Sequence, residues 1–252
     1  MTACRVDPKD IPVLTLSSLS VQRSKSLYEQ TYEALRASIL SGDLAPGQRL
    51  IETQLAEQLR VSRTPIREAM RQLQRDTLVT ADSSGGLRVA SLSVEDVIQL
   101  YDCRLALEQF AVQGACHHAT PEQVRSLEQL VAQSETLGKT QTAYSPEMLD
   151  LDYRFHRLIA ESSSNRWLVS LLDQVFDKMA LLRVQTTRRN PRVLEIRQEH
   201  RQIFEAIQTG WRSHAEADID RAIAAIRAHL VASQARVTQE VESLQHDGGV
   251  ME

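Results

Sequence analysis

The sequence predicts a mainly α protein in two parts. Residues 21–90 read as a winged helix-turn-helix of three helices and a β-hairpin, and residues 91–245 as an all-α bundle. Two observations carry this division. The order helix, helix, turn, helix, hairpin is complete by Ala90, and after Ser91 apolar residues recur at helical spacing with no alternating stretch.

Residues 1–20 mix Pro, Ser and isolated apolar residues without periodicity and are expected to form a flexible arm. A first helix spans Leu27 to Leu40 and ends in SGDLAPGQRL, where Gly and Pro stop it. A short second helix follows from Glu52 to Leu59, with Thr53 as its expected cap. VSRTP is the turn, and Pro65 is expected at the tolerated first position of a third helix reaching about Asp76. LVTADSSGGLRVA then gives two strands joined by a Ser/Gly turn. Beyond it, Ser93 with Glu95 and Asp96 caps a helix to about Ala119, and Thr120–Pro121 opens another to about Leu137. GKTQTAYSP is read as a loop, with helices at 146–162, 166–188, 192–208 and 214–245 and a flexible tail at 246–252.

Composition is that of an ordinary soluble protein, with 42% hydrophobic and 25% charged residues. The start lacks the basic and apolar regions of a signal peptide, and no stretch approaches the roughly 18 apolar residues of a membrane span. A cytoplasmic protein is therefore expected, with no membrane partner. Cys4, Cys103 and Cys116 form neither a disulfide framework nor a metal knuckle, and reduced thiols are expected. The net charge of −4 hides a contrast: residues 21–90 carry ten Lys/Arg against eight Asp/Glu, and residues 91–252 seventeen against twenty-three. Arg60, Arg63, Arg67, Arg71 and Arg75 are opposed between positions 60 and 75 only by Glu68, an electrostatic footprint for a polyanion.

The segment SGDLAPGQRLIETQLAEQLRVSRTPIREAMRQLQRDTLV resembles the signature of the GntR family of transcriptional regulators, with the wing completing the match over residues 27–90. The resemblance implies that Ser62, Arg63, Thr64 and Arg67 begin a recognition helix and touch double-stranded DNA. Arg63 and Arg67 share one helix face, and guanidinium suits bidentate bonds to guanine or phosphate. Arg36, Arg71, Gly85, Gly86 and Arg88 are further candidates for the DNA interface. One departure is Thr77, where the family has Gly at the end of that helix.

In the second part, polar residues occupy apolar stripes. Leu149, Asp152, His156 and Ile159 share a face, as do Val193, Ile196, His200, Ile203 and Ile207, and Ile219, Ala222, Ile226, His229 and Ser233. A single inward His is commonly a satisfied core residue, but one Asp and three His on three helices form a candidate N3O metal site of Asp152, His156, His200 and His229. Zn leads the candidate ions, with Ni, Mn, Fe and Co also suited. Arg104 and Arg183 likewise lie on apolar stripes and need anionic partners, either an internal salt bridge, Glu108 being one turn from Arg104, or the carboxylate of a ligand. Asn165 is a helix cap or a pocket residue.

DCRLALE, LDYRFHRLIAESSSN, EHRQIFEAI and AIRAHL resemble the FadR-type C-terminal domain in its metal-binding branch. That resemblance implies a divalent metal on the four candidate ligands and a small organic-acid effector completing its coordination. Arg104, Asn165 and Arg183 would bind that effector. The separation of His200 and His229 exceeds the family's by about two turns. Gly210–Trp211 offers a loop to absorb the excess, and His214 is an alternative ligand. His117 and His118 are expected at the surface. The expected function is a homodimeric regulator, a repressor, that reads a pseudo-palindromic operator under control of the effector. A metal-sensing regulator and a metal-dependent enzyme are the alternatives.

Overall fold

A capping box starts the first helix, α1 (Leu27–Ser41): the Glu29 N–H donates to Ser26 Oγ at 3.1 Å and the Ser26 N–H to Glu29 Oε2 at 2.7 Å. The computed structural model describes residues 25–140, 146–187 and 197–248, so the expected arm at 1–20 and Cys4 lie outside the described residues. Helix α2 (Glu52–Leu59) begins at Ile51 without a side-chain cap, and Thr53 lies inside it rather than capping it. Helix α3 (Arg63–Arg75) begins after Ser62. Pro65 is therefore its third residue, not its first, but still in the turn whose N–H groups have no intrahelical acceptor. Ile66, Ala69, Met70 and Leu73 form the buried stripe of α3.

The wing is larger than the sequence indicated. Strands β2 (Val79–Ala81) and β3 (Leu87–Val89) form the expected hairpin, and β1 (Arg49–Leu50) adds a third antiparallel strand in the order β1-β3-β2. Two residues show no readable alternation, and β1 exists because β3 offers it a free edge.

The second part contains α4 (Val94–His118), α5 (Pro121–Thr140), α6 (Pro146–Ser162), α7 (Arg166–Thr187), α8 (Arg197–Ser213) and α9 (Glu216–Gly248). Capping boxes start α4, through Ser93 and Asp96, and α5, through Thr120 and Gln123. Helix α4 packs against α6, α7, α8 and α9, so its apolar face anchors the bundle core. Of the segment expected as a loop, residues 138–140 belong to α5 and Pro146 to α6, and 141–145 lie outside the described residues. Helix α9 likewise runs on to Gly248, into the span expected as a tail.

The expected loop at Gly210–Trp211 does not form, because α8 continues through it to Ser213. Gly210 is there for close packing: a Cβ would lie 2.9 Å from Cys116 Sγ on α4. Trp211 Nε1 donates to Ala119 O at 2.8 Å. The excess spacing instead lengthens both arms of an antiparallel α8–α9 hairpin equally. His200 and His229 lie equally far from its tip at His214 and Ala215, which puts them level with one another.

Helix α7 joins the two parts. Leu181 is fully buried in the hydrophobic cluster of α1–α3, while Phe176 belongs to the bundle core. Gly42, with φ of 87°, ends α1 where a Cβ would meet Val184 of α7 at 2.9 Å. The Gln185 side-chain amide closes the junction, accepting from Leu92 N at 2.9 Å and donating to Leu92 O at 2.8 Å. Burying Leu181 contributes about 1.5–3 kcal/mol, whereas a partly exposed ion pair such as Arg36–Asp177 contributes about 0–1 kcal/mol, so apolar burial holds the junction.

Helix α3 ends in a Schellman motif, with Leu78 N bonded to Leu73 O at 2.9 Å and Thr77 N to Gln74 O at 3.0 Å. The motif forces Thr77 to a φ of 54°, a region unfavourable to a β-branched residue. Thr77→Gly is expected to stabilise the protein by about 1 kcal/mol, the left-handed penalty less the entropy of glycine. A urea midpoint that fails to rise would show that Thr77 carries no such strain.

Candidate metal centre and nucleic-acid interface

The exposed face of α3 carries Ser62 at its cap, then Arg63, Thr64, Arg67 and Arg71. Ser62 makes no capping bond, which leaves its hydroxyl for an outside partner. Arg63 Nη2 and Arg67 Nε both donate to Glu52 Oε2, at 3.0 and 2.8 Å. Arg67 first, then Arg63, holds the Glu52 carboxyl below its ordinary range. One carboxylate thus steadies two guanidinium groups, and the pair keeps a net positive charge.

The wing turn folds around Asp82. Its Oδ1 accepts from the Ser84 hydroxyl at 2.6 Å and from Gly86 N at 2.8 Å, and its Oδ2 accepts from Arg88 Nε at 3.0 Å. Ser84 and then Gly86 hold this carboxyl well below the usual range. Gly85 takes a φ of 77°, and a Cβ on Gly86 would lie 2.9 Å from the Asp82 carboxylate. Arg88 also donates to Gly47 O at 3.1 Å, so it braces the wing. Arg36 does not join this face: its guanidinium pairs with Asp177 of α7, which makes it a junction residue and not part of the exposed arginine surface.

Three helices bring the metal candidates together. Asp152 and His156, one turn apart on α6, meet His200 of α8 and His229 of α9, and all four are buried. One nitrogen from each of the three imidazoles lies within 4.8 Å of the other two. Asp152 Oδ1 is 3.5 Å from His156 Nε2 and 3.3 Å from His200 Nε2. None of the three Nε2 atoms has a hydrogen-bond partner. Phe155 stacks on the His200 ring with centroids 4.4 Å apart. A buried polar atom without a partner costs about 1–3 kcal/mol, and three at one point are an arrangement a shared cation would resolve. The donor set, three imidazole nitrogens and a carboxylate oxygen, suits a first-row divalent ion.

Carboxylates hold the outer edges of two of these rings. His156 Nδ1 lies 2.5 Å from Glu108 Oε2, and Arg104 Nε donates to Glu108 Oε1 at 2.5 Å. His229 Nδ1 lies 2.6 Å from Glu199 Oε2, and Arg236 grips Glu199 with two bonds of 2.9 and 3.0 Å. Burial pushes the Glu108 carboxyl up, but Arg104 and then His156 outweigh it and hold it below its ordinary range. Burial likewise opposes ionised Glu199, yet His229 and Arg236 bring it down to about 2. Burial lowers all three imidazoles, His200 strongly and His229 to about 3, so the rings are neutral near pH 7.

The remaining candidates separate. Arg104 is paired with Glu108 as one reading of the sequence expected, but its Nη2 is buried without a hydrogen-bond partner. Arg183 reaches the centre and pairs with Asp152. Asn165 Oδ1 accepts from Trp167 N and Leu168 N, both at 3.1 Å, so its oxygen caps α7. His214 is exposed at the hairpin tip, about 20 Å along the helix from His200 at 1.5 Å per residue, and is excluded as a ligand. His117 and His118 are exposed in the last turn of α4. The sequence reading missed Glu199 and Arg236. Glu199 precedes the candidate ligand His200, and Arg236 falls two turns after the candidate ligand His229 on the same helix face, so the stripe spacing carried a signal for Arg236.

Comparison with known proteins gives two family matches. Residues 27–89 match the model for bacterial regulatory proteins, gntR family, and residues 99–232 match the FCD domain. The uncharacterized HTH-type transcriptional regulator YdhC of Bacillus subtilis is 36% identical over 193 residues, covering 77% of this chain and 86% of that protein. The HTH-type transcriptional repressor GlaR of Escherichia coli is 26% identical over 205 residues, 79% of this chain and 90% of that one. The structure of E. coli McbR/YncC superposes with a TM-score of 0.69 at 21% identity, over 86% of this chain and 99% of that chain, and so shares the fold.

The buried neutral imidazoles predict a pH dependence. Each has a folded pKa below the ordinary 6.5, so the unfolded chain binds more protons and stability is lost as pH falls below about 6.5. Each histidine contributes a slope of up to about 1.4 kcal/mol per pH unit in that window. Metal-free protein is expected to weaken steeply in urea from pH 7 to pH 5, and His229→Leu to remove about one proton's share of the slope. An unchanged slope in that variant would show that His229 is protonated in the folded state.

Proposed function

Since this chain belongs to the GntR family of bacterial regulatory proteins and carries an FCD domain, it is a DNA-binding transcriptional regulator, and we propose that a small organic acid held at a metal centre controls its affinity for DNA. The observation that carries this reading is the convergence of three buried, unpartnered Nε2 atoms beside the Asp152 carboxylate. Asp152, His156, His200 and His229 would hold a divalent ion, Zn first among the candidates. The ion would supply a positive site for an anionic effector. The buried Arg104 Nη2 gives the effector's carboxylate a second point of attachment, and Arg183 lies beside the same centre.

DNA would be read by Ser62, Arg63, Thr64 and Arg67, with Arg71 and the wing residues Gly85, Gly86 and Arg88 alongside. The protein would act as a cytoplasmic homodimer on a pseudo-palindromic operator, because two copies present two recognition helices. Phe110 of α4 and Trp167 and Leu171 of α7 are large exposed apolar residues on two antiparallel neighbours and suit that contact. Light scattering on Trp167→Glu, which should yield monomers, tests it. Helix α7 touches both the metal centre, through Arg183, and the head, through Leu181 and Asp177, so a change in its position would alter both. The effector shifts the balance between two arrangements only by its differential affinity for them. Repression is the expected sign, as in GlaR by its name.

Arg63→Ala and Arg67→Ala should each weaken operator binding by about 1–3 kcal/mol where the side chain reads a base, with folding unchanged. Equal losses on operator and random DNA would reduce both arginines to phosphate contacts, and undiminished operator binding would remove α3 from the interface.

His156→Ala and His200→Ala should lower metal content and blunt the effector response while basal DNA binding persists. A chelator should lower the melting temperature and zinc restore it, since an ion that binds only the folded state adds to its stability. If the ion alone changes operator affinity and organic acids add nothing, the protein is a metal sensor. If no first-row divalent ion stabilises it, the centre is not a metal site.

A further inference from the structure

Two side-chain chains of one pattern flank the cluster. Arg104, Glu108 and His156 form one, and Arg236, Glu199 and His229 the other. In each, an arginine grips a carboxylate, and the carboxylate meets the outward Nδ1 of a histidine whose inward Nε2 has no partner. A neutral imidazole carries one N–H, and an ionised carboxylate can only accept. The hydrogen is therefore on Nδ1, and the Nε2 lone pair is left facing the centre. We propose that Glu199, clamped by Arg236, is a positioning residue of the metal centre that holds His229 in its ligating tautomer and orientation. The proposal rests on the metal reading above.

The register of the α8–α9 hairpin produces this arrangement. Glu199 adjoins the ligand His200 on α8, and Arg236 follows His229 by two turns on α9. The bidentate Arg236 grip fixes the plane of the carboxylate, and with it the direction of the Nδ1 bond. An ion pair between α8 and α9 needs only Arg236 and Glu199, whereas the 2.6 Å bond to His229 adds nothing to that pairing but a fixed ring. Glu108 is placed to do the same for His156, but removing it would strand the wholly buried Arg104. Glu199 and Arg236 keep about a quarter and a third of their side chains exposed, so their substitution leaves no buried charge.

The test uses the full-length protein, with wild type, Glu199→Ala, Glu199→Gln and Arg236→Met compared with cobalt(II) and zinc(II). Chelator competition should show affinity roughly 10–100-fold weaker in Glu199→Ala, the range seen when an outer partner of a ligating histidine is lost, and a smaller loss in Glu199→Gln. The cobalt ligand-field bands should shift, and nitrogen NMR of metal-free protein should show His229 protonated on Nδ1 in wild type and mixed in Glu199→Ala. The melting temperature without metal should fall modestly in Glu199→Ala, because His229 Nδ1 loses its buried partner, and with metal it should fall further, because the gain on adding metal shrinks. Wild-type affinity and an unshifted cobalt spectrum in Glu199→Ala would overturn the proposal, as would equal melting losses with and without metal. Should Glu199→Ala fail to fold, Glu199→Gln and Arg236→Met carry the same comparison. If wild type itself takes up neither ion, the metal reading fails and this proposal falls with it; binding by wild type with no effect of the variants overturns the proposal alone.

Discussion

Three imidazoles and a carboxylate meet in the middle of the helical bundle, and burial there is costly unless each polar atom has a partner. The outer edges of His156 and His229 are satisfied by Glu108 and Glu199, whose own charges are balanced by Arg104 and Arg236. The inner edges are not satisfied by the protein. Much of the bundle's geometry follows from bringing these groups to one point. Helix α6 supplies two of them one turn apart, the α8–α9 hairpin sets two more level, and α4 closes the side with Glu108. Small residues such as Gly210 let α8 come close enough to α4 for this convergence.

The same convergence places the centre beside α7, and α7 is where the two parts of the molecule are joined. One face of that helix presents Phe176 to the bundle core and Arg183 to Asp152, while Leu181 completes the core of the head. A packed core changes between discrete arrangements more readily than it deforms continuously. An event at Asp152 is therefore one rigid helix away from α1 and the arginine face of α3.

Much of this was legible in the sequence, for particular reasons. The three helices and hairpin of the head are built from local signals, such as caps, Gly–Pro stops and a strong helical period, and these leave marks within a few residues. The four ligand candidates were visible because a polar residue on an apolar stripe violates the pattern around it. Errors arose where a local signal had a nonlocal cause. Gly210 read as a helix break, yet it is a contact with Cys116. Arg36 read as one more cation of the basic head, yet it faces Asp177 across 141 residues of chain. Strand β1 was invisible because it depends on the edge of β3.

The sequence by itself determined the two-part architecture, the arginine face of α3 and the identity of the four inward polar residues, because periodicity and charge spacing are properties of a single helix. Only the tertiary structure decided which histidine is the fourth ligand candidate, how the extra length of α8 and α9 is absorbed and which carboxylates orient the rings. Those choices depend on the register of helices distant in sequence. Register is set by packing summed over whole faces, Gly210 against Cys116 and His200 against Phe155 among them, and no short window of residues records that sum.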